Sequence, residues 1–112
     1  MAKLERTIHG DFDEILQRID NRVLHENASS SLEACSDFRK GTARCSVRVY
    51  ERYSISGSNR VSLSVTLFQV DEEEVLVSAI ASGGSQAVLF KINTWGEEAF
   101  LNVVRDVLTW YD

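Results

Sequence analysis

From Ala43 the chain alternates. Ala43, Cys45, Val47, Val49 and Tyr53 share one parity, and Arg44, Ser46, Arg48, Tyr50, Arg52 and Ser54 share the other. A period of two held over such a length predicts a half-buried β-strand, with the small apolar parity turned inward. Val61, Leu63, Val65 and Leu67 repeat the pattern, with Ser62, Ser64 and Thr66 between them. Ser56-Gly57-Ser58-Asn59 reads as the turn that joins the two. Centred on Gly57, that turn pairs Val49 with Val65 and Arg48 with Thr66, so both apolar rows fall on one side of a hairpin.

Around this hairpin the period changes. Residues 2–9 carry Leu4 and Ile8 on one parity, as a strand would, and Gly10 ends it. Asp11 followed by Glu14 has the form of a capping box, with Asp for the usual Ser or Thr. Phe12, Ile15, Leu16, Ile19, Val23 and Leu24 then recur at helical spacing, predicting an amphipathic helix over residues 11–26. Ser31 to Phe38 alternates again and ends in a turn at Arg39-Lys40-Gly41. Beyond the hairpin, Asp71-Glu72-Glu73-Glu74 forms an acidic turn and residues 75–82 a strand. Gly83-Gly84 turns the chain into a last strand over residues 86–93. Both parities of these two strands are apolar, so neither announces its inward face. Thr94 with Glu97 is a capping box opening a second amphipathic helix over residues 95–110, whose stripe is Phe100, Val103, Val104, Val107, Leu108 and Tyr111. The order is β-α-β-β-β-β-β-α. An α+β two-layer sandwich follows: an antiparallel sheet of five or six strands with both helices on one face, in a single domain over residues 1–112.

Two stretches are distinctive. One runs Gly83-Gly84-Ser85-Gln86-Ala87, then Phe90-Lys91-Ile92-Asn93-Thr94, then Gly96-Glu97-Glu98-Ala99-Phe100-Leu101; the other is Arg44-Cys45-Ser46-Val47-Arg48-Val49-Tyr50-Glu51-Arg52-Tyr53. Together they resemble a family of small uncharacterised bacterial proteins, a domain of unknown function, over nearly the whole chain. The resemblance implies a bacterial origin and no established activity, so it carries over no catalytic residue. The element order is also loosely similar to helix-grip ligand-binding folds, for which this chain is short.

Composition narrows the function classes. A net charge of −5 opposes global attraction to nucleic acid or an anionic membrane. No apolar run approaches the ~20 residues of a membrane span. Met1-Ala2-Lys3-Leu4-Glu5-Arg6 lacks the apolar centre of a signal peptide, so a cytoplasmic location is expected. Two cysteines make neither a disulfide framework nor a metal site, and His9 and His25 stand apart from other ligand types. Cys45 is expected inward and Cys35 outward, on opposite faces. No metal, cofactor or catalytic residue is expected.

Three candidate sites remain. Arg44, Arg48 and Arg52 form a cationic row, and Tyr50 among them could stack on a base; a solvated sheet face is the plainer reading. Glu51, alone on the inward parity between Val49 and Tyr53, would line a small-molecule pocket with Tyr53 and Trp95, unless it simply reaches water. Gly83-Gly84 could form a backbone nest for an anion, though a two-glycine turn needs no ligand. A fourth feature is a surface. Phe68 and Val70 continue an outward polar row, and either Val75 and Val77 or Leu76 and Ile80 must join them, giving the sheet an apolar end fit for a partner. The expected function is a non-catalytic, self-associating interaction or accessory protein, a homodimer through this end of the sheet or an edge strand. The alternatives are a small-ligand module with its cleft between sheet and helices, and a nucleic-acid binder through the arginine face.

Overall fold

The computed structural model describes residues 1–26, 29–53, 60–83 and 90–112, with the side chains of 90–95 outside the description. The elements are β1 (Ala2–Ile8), α1 (Phe12–Glu26), β2 (Ser30–Lys40), β3 (Ala43–Tyr53), β4 (Arg60–Gln69), β5 (Val75–Gly83) and α2 (Phe90–Thr109). The strands form one antiparallel sheet in the order β1-β5-β4-β3-β2. Both helices cover one face of it. Phe12, Ile15, Ile19 and Val23 of α1, with Phe100, Leu101, Val104 and Leu108 of α2, close over Leu4, Ile8, Val61, Leu63, Val65, Leu67, Val75, Val77, Ala79 and Ala81 in one core. This is the expected α+β class.

Local chemistry sets the helix boundaries. Asp11 caps α1: its Oδ2 accepts the Glu14 backbone N–H at 2.9 Å, satisfying a donor that the first turn leaves open. Glu14 does not complete the box; its Oε1 accepts the Tyr111 hydroxyl at 2.7 Å, tying the end of the chain to the start of α1. Gly10 lets that ring approach, since a Cβ there would lie 2.8 Å from Tyr111 Cδ1. At the β2–β3 turn, Gly41 takes φ +59°, the left-handed conformation that glycine adopts without steric cost.

Two expectations are corrected. The last strand, over residues 86–93, does not form as read: Phe90–Asn93 is the first turn of α2, Thr94 lies inside the helix rather than capping it, and residues 86–89 fall outside the described segments. The sheet explains why. Both edges of β5 are occupied, by β4 and by β1, so a strand folding back from β5 has no edge to join. A short run apolar on both parities suits a helix as well as a strand.

The second correction is to the register of the central hairpin. Arg48 pairs with Val65, Tyr50 with Leu63 and Tyr53 with Arg60, one residue away from the expected alignment. A one-residue slip turns every side chain to the other face. The inward row of β4 is the expected one, Val61, Leu63, Val65 and Leu67. The inward row of β3 is Arg44, Ser46, Arg48, Tyr50 and Arg52, whereas Ala43, Cys45, Val47 and Val49 lie on the open face of the sheet.

Candidate functional site

Beneath the helices, the β3 row is engaged within the chain. Tyr50 is fully buried, and its hydroxyl donates to Asp20 Oδ1 of α1 at 3.0 Å. Desolvation and the neighbouring Asp20 charge push its pKa far above the usual phenol value. Arg44 forks onto Asp13 of α1, at 3.2 and 2.8 Å, and lies 3.8 Å from the centre of the Phe12 ring. The hydrogen bonds from Arg44 hold the Asp13 carboxyl below the ordinary range. Ser46 donates to Asp37 Oδ1 at 2.6 Å and Arg48 to the same oxygen at 3.1 Å; Ser46 first, then Arg48, lowers the Asp37 pKa. Arg52 lies half-buried, 4.6 Å from the Phe100 ring centre, its pKa lowered by desolvation against the opposing pull of Glu26. These arginines lay apolar stems along the core and carry their charged heads to acids at its margin. The row proposed to track phosphates from a solvated face therefore faces α1 and α2, which removes the ground for that reading.

Of the proposed pocket residues, Glu51 and Tyr53 lie on the open face, where the Glu51 carboxylate is paired with Arg60 and the Arg60 guanidinium lies 5.0 Å from the Tyr53 ring centre. Trp95 belongs to α2, in the layer across the sheet. Glu51 and Tyr53 share a face, and the side chain of Trp95 lies outside the description. Gly83 meets an internal anion: its N–H donates to Glu97 Oε2 at 2.7 Å, and the other carboxylate oxygen of Glu97 meets the N-terminal ammonium. Gly84 falls outside the described segments. Cys35 and Cys45 are unbonded and on opposite faces as expected, but the faces are exchanged: Cys45 pairs with Phe68 on the open side and Cys35 with Arg48 on the helix side. Among the described residues, no three His, Cys, Asp or Glu side chains are grouped to hold a metal ion, and no helix is long and apolar enough to cross a membrane.

What remains is the open face of the sheet. Pairing places Phe38, Cys45, Phe68, Leu76 and Thr7 in one row across all five strands. The next row is Ser36, Val47, Thr66, Ser78 and Glu5, and the one after it Ala34, Val49, Ser64, Ile80 and Lys3. Among the described residues, no helix covers these side chains. Phe38 is 64% exposed, Phe68 38%, Leu76 42% and Ile80 37%. Phe68 stands between two hollows. One, of about 340 Å³, is walled by Phe38, Ala43 and Cys45; the other, of about 330 Å³, by Thr66, Leu76 and Ser78. The apolar end anticipated at Phe68 and Val70 is present, with Leu76 and Ile80 completing it. Phe38, Cys45 and Val49 were missed because the register placed β3 with its other side out. The signal that could have found them is the exposed phenylalanine two residues before the Lys40-Gly41 turn.

β2 extends the exposure. Ser31–Lys40 is exposed on both faces, and β2 is an edge strand. Its edge is guarded by the shift in register between Leu32 and Ala34 and by Glu33, Asp37, Arg39 and Lys40, devices that discourage indiscriminate strand addition.

The profile of a family described as "Family of unknown function (DUF6054)" matches residues 1–112. No curated protein matches the chain, and no solved structure does.

Proposed function

The chain belongs to the DUF6054 family, whose description states no activity, and from its surface we propose that it works as a non-catalytic interaction protein that pairs with a second copy through the open face of its sheet. The observation that carries this reading is the uncovered row Phe38, Cys45, Phe68 and Leu76, with Ile80 and Val49 four residues further along their strands. An exposed apolar surface flanked by polar residues marks a binding surface, because leaving it in water forgoes roughly 25 cal/mol for each Å². Size agrees. Five strands about 4.8 Å apart, over eight positions at about 3.3 Å each, make a face of roughly 600 Å² in projection. A rough surface of that footprint approaches the ~800 Å² per partner of a standard interface. The ligand and nucleic-acid readings lean on Glu51 and the arginine row, which are paired within the chain, so the open face is the better-supported site.

Native mass spectrometry with sedimentation at ~100 μM tests the proposal, since a specific interface of micromolar affinity is filled there. A dimer is expected for the wild type and a folded monomer for Phe68→Asp, whose carboxylate would be desolvated by a partner. A wild-type monomer, or a Phe68→Asp dimer of unchanged affinity, would overturn it.

A further inference from the structure

Resting on that reading, we infer how the two copies are arranged: the two-fold axis runs parallel to the strands, along β4, so that β3 of one copy lies over β5 of the other and Lys40 of each approaches Glu74 of its partner. Two like sheets that pack face to face about a two-fold with their strands aligned place that axis in the plane between them, either along the strands or across them. The surface distinguishes the two.

With the axis along β4, each row lies over the same row of the partner, read in reverse. Phe68 then meets Phe68, and Cys45 lies over Leu76. Two rows on, Val49 lies over Ile80 and Ser64 meets Ser64. Apolar positions of β3 and β5 thus meet in the first and third rows, while Val47 lies over Ser78 and Phe38 over Thr7. Each Phe68 has a hollow on either side, so the two rings at the axis can slip past each other, each leaning into the space beside the other. With the axis across the strands, through the row of Thr66, each strand would lie over itself. Cys45 would then face Val49 and Leu76 would face Ile80, but Phe68 would face Ser64 and the exposed Glu5 its own copy, a like-charge contact.

Charge points the same way. Lys40, paired with Ala43, ends β2 on the open side, and Glu74 precedes β5 on the parity of Leu76, also open. Both are exposed, both sit at the end of the sheet where β2 turns into β3 and β4 into β5, and two strands separate theirs within one copy. Rotation about β4 carries the β2 side of one molecule over the β5 and β1 side of its partner, at the same end. Two Lys40–Glu74 approaches follow by symmetry. Rotation about the other axis sends the two ends apart and forms neither.

The experiment is a charge exchange on the full chain. Lys40→Glu and Glu74→Lys are both exposed substitutions away from the core, so both variants should fold as the wild type does. Each alone should weaken dimerisation several-fold at low salt, because its homodimer carries two like-charge approaches. The double variant Lys40→Glu/Glu74→Lys should return to within about twofold of the wild type. When the two single variants are mixed, both approaches become attractive in the mixed pair, which should exceed the half of all dimers expected from random exchange, as counted by native mass spectrometry. Statistical mixing together with an unrestored double variant, in a dimer that Phe68→Asp still dissociates, would overturn this arrangement while leaving the open-face interface standing. A wild-type monomer would remove both.

Discussion

Replacing Tyr50 tests the face assignment on which the description of β3 depends. The ring is wholly buried between the sheet and α1, opposite Leu63 on β4, with its hydroxyl bonded to Asp20. Tyr50→Ala removes a large aromatic from a packed site and leaves a cavity, which costs about 3–5 kcal/mol for comparable aromatic truncations. That is a large fraction of the roughly 5–15 kcal/mol that holds a domain together. Tyr50→Phe keeps the ring and removes the hydrogen bond alone. Asp20 is half-exposed and can take water in exchange, so the loss should be about 1 kcal/mol, or roughly 4 °C in Tm. Val49→Ala, one residue along on the open face, should cost less than about 1 kcal/mol. Urea unfolding followed by circular dichroism, in a Phe68→Asp background to keep association out of the measurement, gives all three values. Alkali adds an independent readout. Burial raises the folded pKa of Tyr50 above 10.0, so its contribution is fully present below pH ~10 and declines above it as the unfolded tyrosine ionises; Tyr50→Phe should flatten that decline. A Tyr50→Ala cost below about 1 kcal/mol, or below that of Val49→Ala, would refute the assignment.

The acid limb should belong largely to Asp13 and Asp37. Their folded pKa values lie below 3.8, so the stability they contribute is complete above that value and is lost as pH falls through the folded pKa; Asp13→Asn/Asp37→Asn should reduce the slope of stability against pH below ~4, measured by urea titration at several pH values. Gly10→Ala sets a methyl within 2.8 Å of the Tyr111 ring and should destabilise by about 1–3 kcal/mol in thermal unfolding, and most of that loss should be absent when Tyr111→Leu is present as well.

The sequence displays some of this architecture openly and conceals the rest for a definite reason. The stripes of α1 and α2 are legible because each has a single apolar face, and β4 is legible because Val61, Leu63, Val65 and Leu67 alternate with hydroxyls. β3 shows its period clearly but hides its phase. Its apolar parity is made of small side chains, Ala43, Cys45 and Val47, while its polar parity holds long arginine stems and Tyr50, which fill more core volume. The clue to the true phase lies off the strand, in Asp13, Asp20 and Asp37, which supply the acids that Arg44, Tyr50 and Arg48 reach. The turn conceals the register as well. Tyr53 pairs with Arg60, so the connection occupies residues 54–59, an even count, whereas a turn centred on Gly57 assumes an odd one. The open face is half-legible: Phe68 and Leu76 could be read as its apolar end, but Phe38 and Cys45 enter it only once the register is right.

The place of β1 at the far edge of the sheet shapes the chain's birth. Ala2 pairs with Ala81, so β1 emerges from the ribosome before the other strands of the sheet and waits for β5, the last of them. The meander from β2 to β5 can assemble from neighbours as it emerges, but Phe12, Ile15 and Ile19 have only a partial sheet to rest on until β4 and β5 follow. Through most of translation the nascent chain therefore displays an amphipathic helix with its apolar side bare, the kind of segment that chaperones hold. A message truncated before Val75 would release a product with no partner for β1.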